Sequence, residues 1–392
     1  MNHIPAGAQT YSKGPRQFPA NAPRYAVRGD GARVLCSDGR WYTDWTAALG
    51  PIVLGYRNSE VDRAVLRAMD DGPNFGLPTQ IEGQVAERLC RIIPGAEAVR
   101  FGKNGSDATA AAVRASRAIT GRQHIISLGY HGWSLEVGGG PNKTGVPPNV
   151  NAQIFDAWNI AYLDDFMPVA ALIVEPDASS VMLDEMRGEC DRRGIVLIFD
   201  EVLTGFRLNL GGAQAHYGVR ADLVCLSKAM GNGYSVSAVL GPKKFMEPFA
   251  GGIGYSMTFA GETIGLAAAG ATIDFMESHP VIDHLWKIGK QLQEGWNRIA
   301  KRLNLDIPCE GNPPRTVINW RGDMAAKTLV QQEMWRRGQM WTVGWTPSFS
   351  HGDADVDEAL TAAEQSLSIL AQHRDDPSVA VDGPIVGEVF RR

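Results

Sequence analysis

The chain has 392 residues, with 38 basic and 43 acidic side chains and a formal net charge of −5. Because a typical domain has ~150 residues, this length excludes a single small module and predicts two or three domains. The mild net negative charge provides no extended positive field, so we expect neither nucleic acid nor a membrane surface as a partner.

The five cysteines are scattered along the chain, with no closely spaced pair and no neighbouring histidine in a zinc-ligand pattern. They are typical of reduced thiols, and we expect no metal site. No apolar stretch approaches the ~20 residues of a membrane span, and the first residues do not resemble a secretion signal. The sequence therefore predicts a cytoplasmic protein.

In chain order, residues 1–45 are rich in Pro, Gly and Arg and include a turn at 37–39. Short apolar runs then alternate with helical segments; the runs cover 98–101, 124–128, 170–175, 194–199 and 223–227. Runs that are apolar on both faces are typical of strands buried between helices, so we predict an α/β fold with a mostly parallel sheet. Ligands of such sheets bind at the carboxyl ends of the strands.

The C-terminal part shows two amphipathic helical patterns, at 284–300 and 355–373, around a stretch at 308–350 that we interpret as irregular. We predict a large domain over residues 46–283. A small α+β domain is predicted from both termini, residues 1–45 and 284–392.

Polar residues follow two of the predicted strands in positions that favour ligand binding. Gly105 and Ser106 precede an Ala-rich helical run, where a helix N-terminus is either an anion site or an ordinary cap. Asp200 directly follows the 194–199 run and is either a solvated turn residue or a buried partner for a cation.

Two more strand ends carry side chains with chemical potential. Tyr130 and His131 follow the 124–128 run; a lone histidine there is more often structural than catalytic. Lys228 follows the 223–227 run, where it is either a snorkelling surface lysine or a desolvated amine that can act as a nucleophile. Taken together, an anion site, a carboxylate, an aromatic ring and a lysine are the groups that pyridoxal phosphate requires.

The chain resembles the class III, fold type I, pyridoxal-phosphate aminotransferases, and within them the glutamate-1-semialdehyde aminomutase-like branch. The resemblance extends over about residues 12–370. It rests on these segments: VRFGKNGSDATAAAVRASRAITGR (99–122), LGYHGW (128–133), LIVEP (172–176), LIFDEVLTGFR (197–207), DLVCLSKAMGNGYSVSAVLG (222–241) and MTFAGETIGLAAA (257–269).

The resemblance implies a role for each residue around the cofactor ring. Lys228 would form the Schiff base and move a proton during catalysis, and Asp200 would pair with the pyridine nitrogen. Tyr130 and Val202 would lie against the two faces of the ring. His131 would contact the residues that hold the ring and not the ring itself, or it would be purely structural.

It also implies a homodimer with active sites at the subunit interface. Gly105 and Ser106 would hold the cofactor phosphate, and Thr258 would reach the phosphate of the neighbouring subunit's cofactor. Arg315 is a candidate clamp for a substrate carboxylate, with a surface arginine as the alternative.

The differences from the aminomutases concern the substrate. Leu49 replaces a pocket tryptophan, Val343 replaces an acidic residue, and the glycine-rich segment 138–147 is a shortened candidate lid. We therefore expect a transaminase that moves an amino group between an amino acid donor and a carbonyl substrate. The alternative is an intramolecular aminomutase, an isomerase. Nucleotide-binding and GxSxG hydrolase fingerprints are missing from the sequence.

Overall fold

The structure, a computed structural model, describes residues 3–140, 144–147, 150–177 and 179–387. The chain forms two compact units. One comprises Ser59–Ile282, and the other combines Met1–Asn58 with Asp283–Arg391. The assignment of a cofactor domain to residues 46–283 stays a prediction.

Thirteen strands and eleven α-helices are found in the described residues. The strands are β1 (Ala26–Asp30), β2 (Arg33–Cys36), β3 (Trp41–Asp44), β4 (Ala98–Gly102), β5 (His124–Leu128), β6 (Ala152–Phe155), β7 (Val169–Val174), β8 (Val196–Asp200), β9 (Leu223–Leu226), β10 (Ser237–Gly241), β11 (Cys309–Asn312), β12 (Arg315–Ile318) and β13 (Gln339–Met340). The helices are α1 (Ser59–Asp71), α2 (Gln80–Ile92), α3 (Gly105–Thr120), α4 (Ala161–Asp165), α5 (Ser180–Arg193), α6 (Gly212–Tyr217), α7 (Lys243–Met246), α8 (Thr263–Ser278), α9 (Val281–Arg302), α10 (Met324–Arg336) and α11 (Asp353–Gln372).

The Ser59–Ile282 unit is built on a seven-stranded sheet with the order β4-β10-β9-β8-β7-β5-β6. β10 is antiparallel to both of its neighbours, and the other neighbouring strands are parallel. The predicted α/β fold with a mostly parallel sheet is confirmed. The five predicted strands correspond to β4, β5, β7, β8 and β9, whereas β6 and β10 were not predicted.

Helices cover both faces of this sheet, which explains why its strands are apolar throughout. On one face, Ala108 and Ala111 of α3 pack in a cluster with Ile198 of β8. On the other face, Leu183 of α5 packs in a cluster with Leu197 of β8. Because successive residues of a strand point to opposite faces, the single strand β8 contributes to both clusters.

The second unit contains the sheet β1-β2-β3-β13 and the hairpin of β11 and β12. Its core includes a cluster of buried tryptophans, with Trp296 stacked on Trp341 at a centroid distance of 5.5 Å. The two predicted amphipathic helices are confirmed as α9 and α11.

The prediction that 308–350 is irregular was wrong, because this stretch contains β11, β12, α10 and β13. Nine residues of α10 are buried, among them polar Gln331 and Gln332 and apolar Leu329 and Met334. A helix that is covered on most of its circumference, and that buries polar and apolar residues alike, lacks the one-sided apolar stripe by which helices are recognised in sequence.

Candidate active site

Strands β4, β5, β8 and β9 of the Ser59–Ile282 unit all run in one direction, so their carboxyl ends lie at the same edge of the large sheet. Each of them leads into residues that the sequence singled out: the start of α3, Tyr130, Asp200 and Lys228. The carboxyl edge is therefore the candidate active site, as expected for an open α/β sheet.

Asp200 is the last residue of β8 and is only 7% exposed. Its Oδ2 lies 2.8 Å from Nδ1 of His131, and its Oδ1 accepts a hydrogen bond from the backbone N–H of Val202 at 3.1 Å. The alternative of a solvated turn residue is wrong for this carboxylate. It is held at the edge of the sheet in a fixed orientation.

His131 is 3% exposed and contacts acceptors with both ring nitrogens. Nε2 lies 2.8 Å from the carbonyl oxygen of Leu128, and Nδ1 faces the Asp200 carboxylate. A carbonyl oxygen can only accept, so Nε2 carries a proton. These two contacts fix the orientation of the imidazole beside the Asp200 carboxylate.

The start of α3 is closed by a capping box. Asn104 is the N-cap, and Asp107 accepts hydrogen bonds from the backbone N–H groups of Asn104 at 2.7 Å and of Lys103 at 3.0 Å. The N–H groups of Gly105 and Ser106 belong to the first turn, where no acceptor exists within the helix. These donors, together with the positive end of the helix dipole, can bind an anion.

Two glycines allow the start of α3 to pack directly on neighbouring segments. A Cβ added to Gly105 would lie 2.8 Å from Cγ1 of Val202. A Cβ added to Gly132, where φ is +109°, would overlap Oγ of Ser106. Glycine is required at both positions because any side chain would separate the segments. The structure thus brings together Gly105, Ser106, His131, Asp200 and Val202.

Tyr130 directly precedes the buried histidine but is itself 49% exposed. Partial burial and then the negative charge of Asp200 raise the pKa of its phenol. The ring is therefore neutral near pH 7 and offers an apolar face to a planar ligand.

Lys228 lies at the start of a 3₁₀ turn, two residues after β9, and is half-buried. Its backbone is left-handed, with φ +44°, and so is that of Asn232 with φ +43°. Left-handed backbone in a residue with a side chain costs about 1 kcal/mol and is found where the surrounding structure enforces it. Ser227 helps to do so, because its Oγ donates to the carbonyl oxygen of Val236 at 2.8 Å.

Three of the predicted site residues belong to a different segment or to the other unit. Thr258 is exposed, on the segment that leads into α8, and its carbonyl oxygen accepts from Nδ2 of Asn74 at 3.4 Å. Leu49 and Arg315 belong to the other unit. Leu49, with φ +75°, follows two alanines that are also left-handed, and Arg315 on β12 is 7% exposed.

The candidate lid is described only in part. Gly138, Gly139 and Gly140 all have positive φ. Residues 141–143 of the candidate lid lie outside the described residues. The lid stays a prediction.

Glu201 has a structural partner that the sequence did not indicate. It is buried, and its carboxylate accepts hydrogen bonds from the backbone N–H groups of Ala213 and Gln214 at the start of α6. Burial raises its pKa to about 7, against the lowering effect of these two hydrogen bonds. The carboxyl group therefore holds α6 next to Asp200.

Sequence reasoning missed two contacts around the site. Oγ1 of Thr109 donates to the carbonyl oxygen of His131 at 2.8 Å, and Lys103 pairs with Glu262. The capping pattern of Asn104 and Asp107 could have been recognised from its spacing. The Thr109–His131 and Lys103–Glu262 contacts join distant parts of the chain, so no local sequence pattern indicates them.

Comparison with known proteins assigns the class. Residues 17–312 match the family model described as aminotransferase class-III. The match covers well over half of the chain, which therefore belongs to the class-III aminotransferase family.

Individual relatives agree with this assignment. The chain is 33% identical over 335 residues to a glutamate-1-semialdehyde 2,1-aminomutase of Methanothrix thermoacetophila, which covers 79% of this chain and 77% of that protein. The fold of this chain is similar to that of the FumI protein of Sphingopyxis sp. MTA144, which was solved in its PLP internal aldimine form. The TM-score is 0.88 and the identity 26%, with 95% of each chain covered. An omega-transaminase from Sphaerobacter thermophilus gives a TM-score of 0.85 at 25% identity, over 94% of this chain and 95% of that chain.

Proposed function

We propose that this chain is a pyridoxal-phosphate-dependent aminotransferase that moves an amino group between an amino acid donor and a carbonyl substrate. The observation that carries the proposal is the buried Asp200–His131 pair. Asp200 ends the strand next to the one that leads to Lys228, and Val202, two residues on, lies against the start of α3. The cofactor has a phosphate, a ring nitrogen and an aldehyde, and the edge offers a chemically matched group for each.

The donor set fits the cofactor. The first-turn N–H groups of Gly105 and Ser106 suit a phosphate, and the packing of Gly105 on Val202 sets the width of that cradle. Asp200 suits a protonated ring nitrogen, and Tyr130 and Val202 offer the two apolar surfaces that a planar ring requires. The bound cofactor supplies an aldehyde that captures the amine and an electron-poor ring that stabilises negative charge at the substrate Cα.

The chain's own residues perform the remaining chemistry. Asp200, held in place by His131, would accept a hydrogen bond from the protonated ring nitrogen and so favour its charged form. Lys228 Nζ would hold the cofactor through its aldehyde carbon, and as an amine it would exchange a proton with the substrate Cα. The enforced left-handed turn fixes where the lysine side chain originates.

Leu49 and Arg315 are proposed to set the substrate. Leu49 would leave space that an aromatic side chain fills in the aminomutases, and Arg315 would bind a substrate carboxylate. Both proposals rest on the resemblance of the sequence segments.

A direct assay tests the function. Purified protein, supplied with the cofactor, is mixed with ¹⁵N-labelled amino acids and a panel of keto acids and aldehydes, and products are followed by mass spectrometry. We expect label in a product amine. If no acceptor gains label under any combination, the aminotransferase proposal is wrong.

An intramolecular aminomutase is the second candidate, favoured by the 33% identity to such an enzyme over 335 residues. It would isomerise an amino aldehyde without any external acceptor. Incubation with glutamate-1-semialdehyde alone separates the two, because only the aminomutase would convert it to its isomer at a sustained rate.

A homodimer is proposed as the working form. The Ser59–Ile282 unit exposes large apolar side chains on neighbouring segments, namely Leu66, Met69, Phe75, Leu77 and Phe259. Exposed apolar side chains on neighbouring segments favour a protein interface. Thr258, exposed beside Phe259, would then reach the cofactor phosphate of the second copy. Light scattering checks the mass, and a monomer with full activity would contradict the proposal.

The cytoplasmic location is also a proposal. All five cysteines are free thiols in the structure, which supports a reducing compartment. Among the described residues, no helix is long and apolar enough to cross a membrane.

A further inference from the structure

Lys103 lies where three segments of the proposed site meet. Its backbone N–H donates to Asp107 in the first turn of α3 at 3.0 Å. Its carbonyl oxygen accepts from Oγ of Ser235, in the turn that follows Lys228, at 2.8 Å. Its Nζ lies 2.6 Å from Oε2 of Glu262, the N-cap of α8. One residue therefore touches all three segments.

Glu262 has a double task. Its carboxylate accepts hydrogen bonds from the backbone N–H groups of Ile264 and Gly265, at 3.1 Å each, and pairs with Lys103. A Cβ added to Gly265 would lie 2.9 Å from Lys103 Nζ, so the ammonium packs directly against the start of α8. The segment that precedes Glu262 carries Thr258.

The pair is partly shielded from water, with side-chain exposures of 20% for Lys103 and 15% for Glu262. Screening by solvent and salt is therefore weaker than for a surface pair. Without the ammonium, the Glu262 carboxylate would be an uncompensated negative charge near the start of α3. That charge would oppose the binding of a phosphate at this helix end.

We propose that Lys103 and Glu262 form a positioning pair for the phosphate end of the cofactor. The pair ties the 257–262 segment to the start of α3 and cancels the Glu262 charge there. This inference rests on the proposed function, because it requires that α3 binds the cofactor phosphate.

The test compares the affinity of the apoenzyme for pyridoxal phosphate with its affinity for pyridoxal, which lacks the phosphate. Lys103→Met should weaken binding of pyridoxal phosphate by about tenfold, because it leaves the Glu262 charge near the phosphate site, and binding of pyridoxal by less than about twofold. Lys103→Arg should retain most of the affinity. The double variant Lys103→Met/Glu262→Gln should bind pyridoxal phosphate more tightly than Lys103→Met alone, because the uncompensated charge is gone.

Lys244→Met is the matched control, since Lys244 is exposed and lies outside the site; it should leave both affinities unchanged. If Lys103→Met does not fold, Lys103→Gln and Lys103→Gln/Glu262→Gln provide the same comparison. Equal losses for both ligands, or a double variant that binds no better than the single one, would overturn the inference. If the wild-type apoenzyme does not prefer pyridoxal phosphate to pyridoxal, the proposed function fails instead.

Discussion

Nδ1 of His131 lies 2.8 Å from Oδ2 of Asp200, while the other ring nitrogen faces the carbonyl oxygen of Leu128 at the same distance. The histidine is thus held by two acceptors and orients the carboxylate at the end of β8. This relationship explains how a buried carboxylate is maintained at the edge of an apolar sheet.

Replacing His131 should slow turnover while the protein stays folded. His131→Phe leaves the buried Asp200 without its partner, and losing a hydrogen bond to a charged group costs about 1.5–3 kcal/mol, or roughly 10- to 100-fold in rate. His131→Gln, which retains one donor, should lose less. The measurement is kcat/KM across pH, with exposed His216→Asn as the control. A His131→Phe enzyme with an unchanged rate and pH profile would show that the histidine is only structural.

Glu201 should make stability fall as pH rises. Burial raises its pKa from 4.5 to about 7, so between these values the folded state keeps a proton that the unfolded chain has lost. The contribution is present at pH 5 and gone by pH 8, and it amounts to about 2–3 kcal/mol.

Denaturant unfolding of the wild type and of Glu201→Gln at pH 5 and pH 8 measures this effect. The other titrating groups are common to both proteins, so the difference between the two pH dependences isolates Glu201. Identical pH dependences would contradict the raised pKa.

Ala48→Gly should stabilise the protein. Ala47, Ala48 and Leu49 are consecutive left-handed residues with φ of 46°, 54° and 75°. Glycine adopts this backbone without steric cost, and a gain of about 1 kcal/mol in the free energy of unfolding is expected. The control is Ala118→Gly, at an exposed position of α3 with helical backbone. This substitution should lower the free energy of unfolding by about 0.5–1 kcal/mol. A loss of stability in Ala48→Gly would contradict the proposed strain.

The sequence predicted the parts of the fold that have a strong local signal. The run 124–128 is β5, and the residues after the apolar runs do lie at one edge of the sheet. β6 was missed because it is an edge strand that is only partly buried, and β10 because its run of five residues lies soon after a glycine turn.

The contacts within the site could not be predicted in the same way. His131 and Asp200 are 69 residues apart, and Lys103 and Glu262 are 159 apart. Pairing over such distances depends on how the strands are ordered, and no local pattern encodes it. The left-handed turn at Ala47–Leu49 contains no glycine, which is the usual sequence signal for this backbone. It therefore could not be predicted from the sequence.

The most direct test of the central claim is a single comparison of Lys228→Ala with the wild type and with the exposed-lysine control Lys244→Ala. Each protein is incubated with pyridoxal phosphate, reduced with borohydride and analysed by peptide mass spectrometry, and amino transfer is measured in parallel. We predict cofactor covalently attached at Lys228 in the wild type and the control, and neither attachment nor turnover in Lys228→Ala. Wild-type turnover by Lys228→Ala, or attachment at a different lysine, would contradict the account.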